Sequence, residues 1–468
     1  ITHVNGKYPQ IPPFHPSIRY PEYKGEVLAN DPNYVYDSVR KSLALLKLDL
    51  DNYRTSEWNP LKKIISPGDT VFIKPNLVTH EYRKSCSDKH TIFSIITHPS
   101  VIRPIADYVD IALKGKGQIL IGDNSHVDAD FPRILEKTNL NALTEVYEVE
   151  CNILDLRFLW CSDLQHYGYK SKMTKLKGDP QGDSIINIGK DSLFNGINPL
   201  LLRGTFTDRN ETIKHHNRSK HEYSISNSIL NSDVYISIPK LKAHRKVGAT
   251  LNIKGLVGIV YNKNTLPHWR IGYPKFGGDE YPSPSRTYDY CALYLRHFIN
   301  DVLPEKWYLS IKEKVSKTFL KEMFQTDRSP SGVKHRGAWR ENDTAWRMVV
   351  DLYNIFINNI GESKTRKYFS VIDGIVSGEG DGPFCPTPKE TNVIISGEDL
   401  FECDMVGVRL MDFDVNQIKY LNYINNSRKQ NITIVSDIFP PKDFFSGEKR
   451  YFNFKPPKQW NELSLDTN

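Results

Sequence analysis

Lys240, Lys242 and His244 follow Pro239 at the end of an apolar run, Val-Tyr-Ile-Ser-Ile over 234–238. The run reads as a buried strand that delivers two lysines and a histidine to one loop. Val234 to Gly278 contains no Asp or Glu. The same stretch holds eight Lys and Arg residues (Lys240, Lys242, Arg245, Lys246, Lys254, Lys263, Arg270 and Lys275), together with His244 and His268. An acid-free basic loop at a strand end is a place to hold an anion. Lysines there would bind the anion and neutralise charge that develops during reaction. Imidazole ionises near neutrality, so His244 is the natural general acid or base, with Lys242 beside it.

Three more strand ends carry polar loops: Lys74-Pro75-Asn76, Asp123-Asn124-Ser125, and Asp373-Gly374 running on to Glu379-Gly380-Asp381-Gly382-Pro383. Ligands of open α/β sheets bind outside the carboxyl ends of the strands, so the loops weigh more together than singly. Lys74, Asn76, Asn124, Ser125, Lys240 and Lys254 are the expected substrate contacts. Asp123, Asp373, Glu379 and Asp381 offer oxygen ligands for a divalent metal such as Mg or Mn. His98, between Thr97 and the helix-starting Pro99, is a third catalytic candidate. Each feature also has a plainer reading: solvated lysines, a glycine-rich turn, a hydrogen-bonded structural histidine. Gly248 to Gly258 lacks P-loop spacing, although a helix starting near Gly248 would add free N–H groups to an anion site.

The elements that position these residues alternate. Asp37 to Leu50 has helical spacing with Asp37 or Ser38 as cap, Thr70 to Lys74 is a strand, Pro99 to Leu113 a helix, and Gln118 to Gly122 a strand. Further strands are expected at 368–372, 392–395 and 432–435. The fold class is therefore α/β, a mainly parallel sheet flanked by helices. Residues 1–33 read as an irregular arm and 34–412 as the core. The core carries a polar insertion at about 157–232 and a helical one at about 288–360. Residues 413–468 read as a C-terminal helix, strand and surface tail.

At 468 residues, with 39% hydrophobic and 25% charged residues, the chain can bury a large core. A net charge of +7, with no extended basic stripe, does not point to nucleic acid. None of the six cysteines (Cys86, Cys151, Cys161, Cys291, Cys385, Cys403) pairs at C-x-x-C spacing, so no iron–sulfur cluster is expected. Scattered cysteines suggest reduced thiols and a cytoplasmic setting. No apolar run is long enough to span a membrane, and no signal peptide is visible. Oligomeric state is not legible.

The strings Val71-Phe-Ile-Lys-Pro-Asn-Leu-Val78, Thr97-His-Pro99, Gly122-Asp-Asn-Ser125, Ile238-Pro-Lys-Leu-Lys-Ala-His244, Asn252-Ile-Lys-Gly-Leu256 and Asp373-Gly-Ile375 with Glu379-Gly-Asp-Gly-Pro383 occur in this order. Together they resemble the domain-of-unknown-function family numbered 362, over about residues 70 to 410. Many relatives have Ser-Pro or Ser-Gly where this chain has Asn124-Ser125. Some carry a ferredoxin-like cluster domain for which this chain lacks the cysteines. The resemblance implies the fold class and the site region. It also implies a place beside cell-surface polysaccharide or specialised-metabolite pathways. The Lys-x-His loop has a faint likeness to nickel-pincer enzymes of the lactate-racemase type. Two functions follow as expectations: an enzyme acting on an anionic (phosphorylated or carboxylated) small molecule, or a non-catalytic binding or scaffold protein for a sugar precursor or partner enzyme, using its aromatic side chains.

Overall fold

The computed structural model describes residues 1–82, 92–161, 173–204, 209–282, 287–315, 336–361, 364–428 and 432–465. A nine-stranded sheet organises the molecule. Its strands are β1 (Thr2–His3), β2 (Thr70–Pro75), β3 (Gln118–Asp123), β4 (Glu150–Asp155), β5 (Val234–Ile238), β6 (Lys240–His244), β7 (Gly248–Thr250), β8 (Lys367–Glu379) and β9 (Thr387–Gly397). The order is β1-β9-β8-β5-β2-β3-β4. The run β8-β5-β2-β3-β4 is parallel, whereas β9 lies antiparallel between β8 and β1. This is the α/β architecture read from the sequence, with an antiparallel edge.

The central strands are apolar on both faces because helices cover both. Val71, Ile73, Ile119, Ile121, Val234 and Ile236 alternate onto the face packed by helices α1 (Tyr34–Leu45) and α2 (Pro99–Leu113). Phe72, Leu120 and Tyr235 point the other way, into the core formed with α4 (Ala345–Phe356) and α5 (Leu400–Leu410). Each such side chain contributes roughly 1.5–3 kcal/mol when fully buried. A short α3 (Asn252–Gly255) sits between β7 and the rest of the core. Helix α1 is capped by Asn33, whose side chain accepts from Tyr36 N, rather than by Asp37 or Ser38.

Several expectations need correction. Lys240–His244 is not a loop. After Pro239 the chain resumes as β6, which pairs in parallel with the later part of β8 (Lys240 opposite Asp373, Lys242 opposite Gly378). Asp373 likewise lies inside a strand, because β8 runs unbroken for 13 residues to Glu379. Its glycines mark close approach rather than a turn: a Cβ on Gly378 would lie 2.6 Å from Ser94 O, and one on Gly374 would lie 2.8 Å from Val393 Cγ2. Residues 432–435 form no strand, and Val435 O accepts from the Ile1 ammonium at 2.7 Å. Cys385 is disulfide-bonded, so the expectation of reduced thiols fails there. Cys151, Cys161, Cys291 and Cys403 form no disulfide, and Cys86 lies outside the described residues.

Candidate functional site

Two groups of charged residues lie along β6, and they differ in kind. The first is closed. Lys240 Nζ sits 2.6 Å from Asp373 Oδ2 and 2.9 Å from Tyr8 Oη, and both charged side chains are fully buried. Tyr8 donates to Asp373 Oδ1 at 2.7 Å, and the His98 backbone N–H donates to Oδ2 at 3.0 Å. The His98 ring stacks on Tyr8 at 4.1 Å and 7°. Its Nδ1 accepts from Ser100 N, capping α2. Burial, then the Lys240 charge, pushes the His98 imidazole well below its ordinary range. The charged and hydroxyl groups of Lys240, Asp373 and Tyr8 all have partners in the protein. Lys240 and Asp373 are thus a tie between β6 and β8, and His98 is a helix cap. None of the three faces an open site, contrary to the substrate, metal and catalytic roles expected of them.

The second group is open only in part: Lys246, Lys254, Lys263 and His268 are partly exposed, whereas Lys74, Asp123, Lys242 and His244 are buried. Lys74 ends β2 and Asp123 ends β3, with Lys74 Nζ 2.8 Å from Asp123 Oδ1. Leu77 N donates to the other carboxylate oxygen at 2.7 Å. Across this pair runs the segment that leaves α3. Gly258 packs so tightly that a Cβ there would lie 2.2 Å from Asp123 Oδ1 and 2.7 Å from Lys74 Nζ. Its carbonyl accepts from Asn124 N at 3.0 Å. Lys263 Nζ donates to Asn124 O at 2.8 Å. The loops are braced from within. Asn124 Nδ2 donates to Val260 O at 2.6 Å, Ser125 Oγ to Leu77 O at 2.6 Å, and Asn76 Oδ1 accepts from Val78 N at 3.3 Å. These three expected substrate contacts hold the edge in shape.

Lys254 stands at the middle of the open group. It is partly exposed, and its Nζ has no hydrogen-bond or ion-pair partner among the described residues. Its charge depresses the ionisation of Lys242, His244, Lys246, Lys263 and His268. Lys254 itself is pushed down to about 8 by burial, then by Lys74. Lys263 falls to about 7, chiefly through burial, and Lys246 to about 7 through burial and then Arg245. Lys242 is fully buried, donates to Ile95 O at 2.7 Å, and is pushed well down by burial and then by Lys254. On β7, Thr250 lies opposite Lys242 on the same sheet face, and its buried hydroxyl has no partner among the described residues. The α3 N-terminus adds nothing to the site, because Asp404 accepts from the Asn252 and Ile253 N–H groups.

The two histidines of the group are held in opposite tautomers. His244 Nδ1 accepts from Lys246 N at 3.1 Å, which puts the proton of the neutral ring on Nε2. His268 Nδ1 donates to Leu266 O at 2.9 Å, which leaves its Nε2 bare. Burial keeps both rings well below the ordinary imidazole range, helped by Lys254 at His244 and by Lys246 at His268.

The expected metal ligands do not converge. Asp123 is paired with Lys74 and Asp373 with Lys240. Glu379 accepts from Lys389 Nζ and Lys455 N, both at 3.0 Å, and Asp381 accepts from Lys458 N at 3.0 Å. The acidic segment thus docks the C-terminal tail. Among the described residues no three His, Cys, Asp or Glu side chains gather as a metal site. The donor set does not fit Mg or Mn.

Of the residues expected from sequence, the structure brings Lys74, Asp123, Lys242, His244 and Lys254 together. Sequence reasoning missed Lys246, Thr250, Lys263 and His268 as members, although all four lie in the acid-free stretch and three of them are among its basic residues. It also missed Tyr8, since nothing in an irregular arm signals a partner 365 positions away.

No curated protein matches the sequence. Among solved structures, the chain is similar to the lactate racemase apoprotein from Thermoanaerobacterium thermosaccharolyticum, at 11% identity and a TM-score of 0.28. The match covers 80% of this chain and 55% of that one, so the chain spans just over half that protein's length. A likeness of this degree carries no argument about activity. Residues 192–409, which include β5 to β8, Lys254 and both histidines of the open group, match the model described as Domain of unknown function (DUF362), and this is the family the chain resembles.

Proposed function

We propose that this chain is an enzyme acting on an anionic small molecule, phosphorylated or carboxylated, held at the carboxyl edge of β2 and β3. The observation that carries the reading is the partly exposed Lys254, unpartnered among the described residues, in the company of Lys74, Lys242, Lys246 and Lys263, with Asp123 the carboxylate against them. Packing like charges this closely costs free energy, which a bound anion would offset. Lys254 and Lys263 would contact the anion, and Lys74 would be oriented by Asp123. The buried Lys242 would add field from beneath. His244 Nε2–H and His268 Nε2 supply a donor and an acceptor for moving a proton at the bound molecule. Place in a polysaccharide or specialised-metabolite pathway is part of the proposal, supported by the family resemblance alone.

The test is consumption. Incubating the protein with pooled phosphorylated and carboxylated metabolites, and following them by mass spectrometry, should show one class depleted. Lys254→Ala should abolish the depletion without altering the fold. A pool left unchanged by wild-type protein, although some member binds, would favour the non-catalytic binding reading.

A further inference from the structure

We infer that the outer face of the helix Thr287–Val302 docks against the same face of a second copy of this chain, the two helices lying antiparallel about a two-fold axis.

What the helix buries fixes its rotation. Leu293 packs with Tyr273, Tyr281, Ala338 and Trp339. His297 Nε2 sits 2.9 Å, and Arg296 Nη2 3.3 Å, from the buried Glu280 carboxylate. At 3.6 residues per turn, the opposite face carries Cys291, Leu295, Phe298 and Val302, spaced four, three and four apart. All four are exposed, Leu295 at 48%, Phe298 at 62% and Val302 at 61%. The apolar surface extends past this stripe. The exposed Phe276 ring lies 5.5 Å from Tyr290 and 6.1 Å from Tyr294. Arg203 joins Asp301 at 3.0 Å and Leu200 O at 2.9 Å, which sets the exposed Leu200 beside the end of the helix. Across a short turn, Trp307 on the helix Glu305–Val315 is 66% exposed.

Monomers rarely expose contiguous apolar patches above a few hundred Å². Leu200, Phe276, Leu295, Phe298, Val302 and Trp307 together present on the order of 600 Å², given the size of aromatic and aliphatic side chains. Two copies therefore reach about 1,200 Å², the area at which specific stable interfaces begin. Charge selects the partner. The stripe has none, and Asp301 at its border is neutralised by Arg203. The exposed charges of the following helix, Lys306, Glu313 and Lys314, are of both signs. An anionic bilayer is met by a basic rim, and a strongly charged protein by a rim of one sign. A neutral stripe with a mixed rim complements itself. Its alternation of three and four is the seam of paired helices, and a two-fold contact uses one patch twice. An axis between Leu295 and Phe298 sets Leu295 against the partner's Phe298, and Cys291 against the partner's Val302.

Sedimentation velocity on the full chain at micromolar concentration tests this. The wild type should sediment at twice the 53.9 kDa chain mass. Phe298→Asp, at an exposed position, should keep its melting temperature and weaken the dimer at least about thirtyfold, the scale of an interface hot spot. A monomeric wild type, or a dimer indifferent to Phe298→Asp, would overturn the inference. So would a monomer that co-sediments with phosphatidylglycerol vesicles and loses them in Phe298→Asp, which would assign the face to lipid. Should Phe298→Asp not fold, Val302→Cys decides. Mild oxidation should join it to the partner's Cys291 as a covalent dimer that the wild type does not form, and absence of that dimer would overturn the pairing.

Discussion

Lys254 and Lys240 carry the same charge on the same stem in opposite settings. Lys240 is enclosed with Asp373, Tyr8 and the His98 backbone, so its charge is spent inside the protein. Removing one member of such a buried pair leaves the other uncompensated, at about 3–5 kcal/mol. Lys240→Ala should lower the unfolding free energy by that amount in urea denaturation. A loss below about 1 kcal/mol would mean the tie is not structural. Sequence alone did not separate the two lysines, because Lys-x-Lys-x-His shows charge spacing and not what stands opposite each residue. Asp373 lies 133 positions from Lys240 and was expected as a metal ligand in a strand-end loop. Lys254 was legible as a candidate contact through its place in the acid-free stretch. His268 was visible too, but its bare Nε2 depends on Leu266 O, a backbone contact that composition does not record.

At the scale of elements, the strands were legible where apolar residues run without a break, as at Val71–Ile73, Ile119–Ile121 and Val234–Ile236. Burial on both faces requires such runs. Two signals misled. Pro239 and the glycines after Asp373 read as strand ends, yet the chain uses them to offset β6 from β5 and to let β8 approach its neighbours. The short segment after α3 is placed by contact rather than by propensity, since Gly258 lies directly on the Lys74–Asp123 pair. Gly258→Ala should push that pair apart, costing about 1–3 kcal/mol by overpacking. It should also weaken anion binding, read by calorimetry beside urea denaturation. A variant with unchanged stability and binding would show that the segment can retreat, and that the pair does not depend on it.

At the scale of the whole molecule, distant parts of the chain close around one sheet. Tyr8 enters from the arm to complete the Lys240–Asp373 tie. The tail from Lys455 to Lys458 docks on Glu379 and Asp381, and Trp460 Nε1 donates to Arg245 O at 2.8 Å beside the open group. No described helix is long and apolar enough to cross a membrane. What remains uncompensated is the charge around Lys254, and its protonation sets how the site responds to pH. Lys246 and Lys263 lose their protons near pH 7 and Lys254 near pH 8, so cationic charge is fullest below these values and falls as pH rises through them. The most direct test is therefore a calorimetric titration of wild-type protein and Lys254→Ala with inorganic phosphate, at several pH values from about 6 to about 9. The wild type should bind, with affinity falling as pH rises through 7 to 8. The variant should bind at least about tenfold more weakly at the lowest pH, as expected for loss of a charge-assisted contact. Equal affinity in wild type and Lys254→Ala, or affinity in the wild type that rises with pH, would contradict the anion site.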